Sequence, residues 1–255
     1  MKVTRAVVPS LFTVLNMFCG FMSIINSSNG SFHAAAWFIV LAAGFDALDG
    51  VMARLTKSTS DFGVEIDSLS DVVSFGAAPS FLVYTLSLYQ LEGAGIFLSS
   101  LLMIFGGLRL ARFNVNLVGH NKEFFVGLPI PVSAITVVLF VLSYYSPSSG
   151  LNEEAAAWLP WMTVILALLM VSKIKYETLP QLSKRAVHEN PVRFLLASTA
   201  VLMIAVTHGD AAFPLAVLFI IQGIVRSMVH GMKQAFGVGP KNGGDDSSST
   251  GRVDV

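Results

Sequence analysis

Apolar runs follow one another along the chain, each about as long as the ~20 residues a helix needs to cross a ~30 Å hydrocarbon layer. They cover 11–28, 32–54, 72–91, 95–113, 128–145, 155–171, 193–207 and 211–228. Within each run the apolar residues are continuous rather than alternating, which favours buried or lipid-facing helix over half-exposed strand. The pattern predicts an all-α integral membrane protein, a polytopic helical bundle of about eight transmembrane helices. Six to eight crossings fit, because the run at 193–207 is short and Pro160 and Trp161 interrupt the one at 155–171. The first residues, Met1 to Arg5, have the charge of a signal-peptide start, but no small-residue cleavage site follows and Asn16 breaks the apolar stretch; a retained helix is expected. The membrane domain is expected to span 1–236. The stretch 237–255, rich in Gly, Ser and Asp, has the composition of a disordered tail.

Basic residues orient these spans, since cytoplasmic loops are enriched in Lys and Arg. Lys2 and Arg5 precede the first run, and Arg54 and Lys57 end the second. Arg109, Arg112 and Lys122 end the fourth, Lys173, Lys175, Lys184 and Arg185 follow the sixth, and Arg226, Lys233 and Lys241 end the eighth. The alternate connections, around Asn29, Glu92, Glu153 and Asp210, carry none. This segregation predicts a multi-pass protein of the cell (inner) membrane with both termini cytoplasmic. Composition agrees: 54% of residues are hydrophobic and 13% charged, against roughly a quarter charged in a soluble domain. Sixteen basic and sixteen acidic residues cancel, which leaves no excess charge to hold a nucleic acid. A lone Cys19 rules out an internal disulfide or a cysteine-built metal site, and the five histidines are too scattered to serve as ligands.

The acidic residues are distributed differently. Six of the sixteen fall between Asp46 and Asp71, at the junction of the second and third runs. A carboxylate at mid-bilayer costs roughly 2.5 to 3.5 kcal/mol, so Asp46, Asp49, Asp67 and Asp71 together would cost on the order of 10 kcal/mol unpaired. Arg54 and Lys57 offer two positive charges against these four. Divalent cations can make up the deficit. Asp46 and Asp49 stand three apart and Asp67 and Asp71 four apart, so each pair shares a helix face, and two opposed faces would make a four-carboxylate cage. Oxygen-only ligands suit hard ions such as Mg2+ or Mn2+, which usually act together with substrate phosphates. Gly50 and Gly63 remove side chains where a bulky ligand such as a nucleotide could approach.

Asp46, Asp49, Gly50, Ala53, Arg54, Gly63, Asp67 and Asp71 fit D-x2-D-G-x2-A-R-x8-G-x3-D-x3-D without a departure. In this the chain resembles the CDP-alcohol phosphotransferase family. The resemblance implies a membrane helical bundle, usually homodimeric, with two divalent cations, Mg2+ or Mn2+, at its cytoplasmic end. It also implies transfer of a substituted phosphate from a CDP-alcohol to a hydroxyl. By the same pattern, Asp46, Asp49, Asp67 and Asp71 would be metal ligands and Asp71 also the general base, while Asp49, Gly50, Arg54 and Ser60 would bind the CDP part of CDP-diacylglycerol.

Three further segments resemble the branch of that family that uses serine: Phe62 to Gly76, Arg109 to Asn114, and Phe125 to Pro129. Asn16, Phe18, Cys19 and Gly20 fit as well. The branch implies transfer of the phosphatidyl group to L-serine, giving phosphatidylserine and CMP. A serine acceptor brings a carboxylate that needs a cation. Arg109 and Arg112, three apart on one helix face, can bind a carboxylate through paired hydrogen bonds. The same pair could equally hold the phosphate of glycerol 3-phosphate, so that acceptor or inositol phosphate stays open on these residues alone. Carboxylates within a bundle also occur in divalent-cation transporters, but transporters usually carry internal repeats, and the 46–71 pattern has no second copy.

Overall fold

In the computed structural model, residues 7–56, 61–118, 127–174 and 211–235 are described. Helices α1 (Val7–Ser28) and α2 (Phe32–Thr56) form an antiparallel hairpin. Its turn follows from Gly30, whose φ of 73° few other residues adopt. With that residue left-handed, Ser31 N–H donates to Asn26 O (2.9 Å) and Gly30 N–H to Ser27 O (3.1 Å), the paired bonds that close a helix carboxyl end.

The third span begins earlier than its hydropathy predicts. Helix α3 (Asp61–Asp71) runs without a break into a π-helical stretch, Val72–Ala77, and then α4 (Ala78–Leu86). Together they make one candidate crossing, Phe62–Leu86, in place of 72–91. The acidic residues of 61–71 hide this helix from a hydropathy window. Its last turns are nevertheless inside the bundle, with Ser70, Asp71 and Ser74 buried. The wider π turn is marked by Ala78 N–H donating to Val73 O. It lies just before Pro79, which has no N–H to continue an α ladder.

A short 3-10 turn (Leu88–Leu91) then reverses the chain into α5 (Glu92–Val118). Helix α6 (Ile130–Tyr144) is followed by a two-residue hairpin, β1 (Tyr145–Ser146) with β2 (Gly150–Leu151), and by α7 (Glu153–Val171). Asn152 caps α7 by accepting from Glu154 N–H at 3.0 Å, and the helix continues through Pro160. The last described helix is α8 (Ala212–Ala235). Six of the described helices are long and apolar enough to cross a membrane, and Ile130–Tyr144 is a shorter apolar one. The all-α expectation holds; the run at 193–207 and the tail at 237–255 lie outside the described residues.

Several contacts gather the ends of these helices. Leu128 N–H donates to Leu169 O (2.9 Å) and Gly127 N–H to Ile174 O (2.8 Å), joining the start of α6 to the end of α7. Asn114 of α5 donates to Ser68 Oγ of α3 at 2.9 Å. One end of the bundle therefore holds the starts of α1, α3 and α6 and the ends of α2, α5 and α7. Beneath it, Phe75, Leu82, Leu102, Val137 and Met170 belong to one buried apolar core.

Close packing of α1 on the π stretch depends on Gly20. A Cβ there would sit 2.5 Å from Ser74 Oγ and 2.7 Å from Ser74 Cα, so any larger residue must push the two segments apart. Gly20→Val is expected to lower stability by about 1–3 kcal/mol, the usual cost of overpacking, seen as a lower melting temperature in detergent.

Candidate active site

The end of the bundle so assembled holds the acidic residues. Asp46 and Asp49 project from α2, Asp67 and Asp71 from α3. One carboxylate oxygen each from Asp46, Asp67 and Asp71 come within 4.8 Å of one another. Asp71 is buried and the other two are half-buried. Asp49 stands at the edge of this trio, buried and within Coulombic reach of Asp46 and Asp67. Its Oδ2 accepts from Thr13 Oγ1 at 3.0 Å, while its Oδ1 is buried with no hydrogen-bond partner among the described residues. The structure thus brings three of the four predicted aspartates into one cluster and sets the fourth beside it.

At separations of about 5 Å and an effective dielectric constant of about 20, each pair of carboxylates repels by roughly 3 kcal/mol. Among the described residues the nearby cation is Arg109: it is buried, within Coulombic reach of Asp71, and its Nε has no partner there. One guanidinium does not balance four carboxylates. The oxygen-only donor set, the mutual approach of three carboxylates from two helices and the unpaired Asp49 oxygen all fit hard divalent cations such as Mg2+ or Mn2+.

Arg112 lies one turn beyond Arg109, half-buried, and donates to Val171 O at 3.4 Å. The predicted pair therefore diverges somewhat, Arg109 toward Asp71 and Arg112 toward the end of α7. Gly50 is half-buried, directly after Asp49 in α2. Arg54 falls in the last turn of α2, where only the backbone is described, and Ser60 lies outside the described residues.

Sequence reasoning passed over Thr13 and gave Asn16 no role. Asn16 donates from Nδ2 to Asp71 Oδ1 at 3.4 Å. The signal was two polar residues three apart inside an apolar run, each too costly to bury without a partner.

The model for CDP-alcohol phosphatidyltransferase matches residues 6–169, a stretch that contains all four aspartates and both arginines. The chain belongs to the CDP-alcohol phosphatidyltransferase family. Among its relatives is a CDP-diacylglycerol–serine O-phosphatidyltransferase of Helicobacter pylori, 40% identical over 86% of this chain and 90% of that one. An archaetidylserine synthase of Methanothermobacter thermautotrophicus is 40% identical over 69% of this chain and 72% of its own. A CDP-diacylglycerol–serine O-phosphatidyltransferase of Bacillus subtilis is 34% identical over 70% of this chain and 93% of its own.

In this CDP-alcohol phosphatidyltransferase a sizeable cavity lies away from the aspartates. About 570 Å3 opens between α6, α7 and α8, lined by residues such as Phe140, Trp158, Trp161 and Phe213. It lies toward the opposite end, where α6 finishes and α7 starts. Its apolar walls carry none of the acidic residues of the cluster.

Proposed function

We propose that the chain transfers the phosphatidyl group of CDP-diacylglycerol to the hydroxyl of L-serine, giving phosphatidylserine and CMP, at a site where Asp46, Asp49, Asp67 and Asp71 hold two divalent cations, Mg2+ or Mn2+. The observation that carries it is the convergence of Asp46, Asp67 and Asp71 from two helices within 4.8 Å. The relatives named for serine transfer, at up to 40% identity over most of the chain, support the acceptor. When bound, the cations supply charge neutralisation at the diphosphate and lower the pKa of a coordinated hydroxyl.

The chain's own groups do the rest. Asp71 takes the proton of the serine hydroxyl as its oxygen bonds to the β-phosphorus, and the bond from that phosphorus to the oxygen of CMP breaks. Burial of Asp71 keeps bulk water from that proton transfer. Gly50, lacking a side chain, leaves room for the nucleotide beside Asp49; Arg54 and Ser60 complete the CDP subsite. Arg109 and Arg112 receive the serine carboxylate, and the Nε of Arg109, unpaired among the described residues, is a donor available for it. Among the described residues, Arg109 and Arg112 of α5 and Lys173 after α7 share the end of the bundle that holds the aspartates, which supports a cytoplasmic site in an inner-membrane protein with both termini cytoplasmic. The working unit is the membrane domain 1–236, as a homodimer; light scattering of the purified protein tests the dimer.

CMP release by purified protein, with L-serine, glycerol 3-phosphate and inositol phosphate compared as acceptors, tests the reaction. Release with L-serine and not with the others is expected. Release with glycerol 3-phosphate and not with serine would overturn the acceptor assignment. Arg109→Lys, which keeps the charge but loses the planar fork, is expected to raise the KM for serine about 10-fold or more, a loss of ~1.5 kcal/mol typical of a charged hydrogen bond. The KM for CDP-diacylglycerol should change little.

A further inference from the structure

We infer that Thr13 and Asn16 of α1 are positioning residues of the metal centre, each fixing one ligand aspartate on a different neighbouring helix. The inference rests on the metal-site reading above. Thr13 and Asn16 are three apart, on one face of α1, and are 2% and 0% exposed. Thr13 Oγ1 donates to Asp49 Oδ2 on α2 at 3.0 Å, and Asn16 Nδ2 donates to Asp71 Oδ1 on α3 at 3.4 Å. The same two residues are gripped in return through their backbone. Ser70 Oγ donates to Thr13 O at 3.0 Å, and Ser74 Oγ to Asn16 O at 2.8 Å.

These four hydrogen bonds make α1 a splint across the two helices that supply the aspartates. Ionised carboxylates only accept hydrogen bonds, and each has two oxygens. A donor from α1 on one oxygen fixes the plane of the carboxylate and leaves the other for a cation. At Asp49 the outcome is visible, because Oδ2 is engaged and Oδ1 is buried and unpaired among the described residues. Hydrogen bonds behind first ligands set their orientation, and losing one typically weakens metal binding by about 10- to 100-fold. Apolar packing alone does not require a threonine hydroxyl or an asparagine amide at these buried positions.

The test is Mn2+ binding to the purified full-length protein, read from the loss of the free-ion signal in electron paramagnetic resonance, so that no turnover is needed. Thr13→Val keeps the shape and removes the hydroxyl, Thr13→Ser keeps the hydroxyl, Asn16→Leu removes the amide, and Asp67→Asn is the control for the centre itself. Thr13→Val and Asn16→Leu are expected to weaken Mn2+ binding about 10-fold or more, and Thr13→Ser to stay within about threefold of the parent. The kcat of Thr13→Val should recover as Mn2+ is raised, which a misfolded protein would not do. Undiminished Mn2+ binding in Thr13→Val and Asn16→Leu, with binding lost in Asp67→Asn, would overturn the positioning role and leave the metal centre standing. Equal loss in Thr13→Ser and Thr13→Val would also overturn it, since the hydroxyl would then not be the cause. Undiminished binding in Asp67→Asn would bring down the metal-site reading and this inference with it.

Discussion

Asp71→Asn is expected to lower kcat about 1000-fold or more, within the range that loss of a general base produces, while CDP-diacylglycerol still binds. The substitution preserves shape, so Asn16 can still face it across α1 and α3. It removes the only function that no neighbour can replace: a buried anion able to take the serine proton. Asp46 and Asp67 are half-buried, and Asp49, though buried, lies outside the close trio that contains Asp71, so none stands in the same surroundings. CMP release and equilibrium binding of labelled CDP-diacylglycerol in mixed micelles, measured on the same preparation, separate the two effects. Near-normal turnover in Asp71→Asn would remove Asp71 as the base.

Removal of divalent cations should have an effect at least as large. A bound cation contributes several kcal/mol to a phosphoryl-transfer transition state, and each 1.36 kcal/mol is tenfold in rate, so chelation is expected to cost about 1000-fold or more. Mg2+ or Mn2+ should restore activity. The same ions should stabilise the fold, because they relieve repulsion among Asp46, Asp67 and Asp71, which lie within 4.8 Å of one another. At a concentration 100-fold above its dissociation constant, a ligand of the folded state adds about 2.7 kcal/mol, and melting curves with and without Mn2+ would register it. Activity that survives exhaustive chelation would contradict the reading.

The acidic pattern was open to inspection because it defies its surroundings: four aspartates at helical spacing have no cheap explanation inside an apolar bundle. Their spacing of three and four residues gave the shared faces, and the structure places three of them in one cluster. What the pattern conceals is helix onset. The charge of 61–71 mimics a loop, yet this stretch is the start of the third span, so Asp67 and Asp71 lie on that helix rather than before it. Thr13 was harder still: with Asn16 it makes two polar residues three apart in an apolar run, a spacing that gives a shared face but not what that face meets. Only the approach of α2 reveals that it meets Asp49. The π turn after Asp71 likewise leaves no mark in hydropathy, though Pro79 marks where an α ladder could not continue. Arg109 and Arg112 looked equivalent by spacing, but burial separates them, because one guanidinium faces the cluster and the other reaches the backbone of α7.

The most direct test follows the acceptor oxygen. L-Serine labelled with oxygen-18 in its hydroxyl, supplied with CDP-diacylglycerol and Mn2+ to the reconstituted protein, should pass its label into the phosphodiester of phosphatidylserine, with one CMP released per lipid formed and no label in CMP. CMP release without serine, or a lipid product that lacks the label, would contradict attack of the serine hydroxyl on the β-phosphorus.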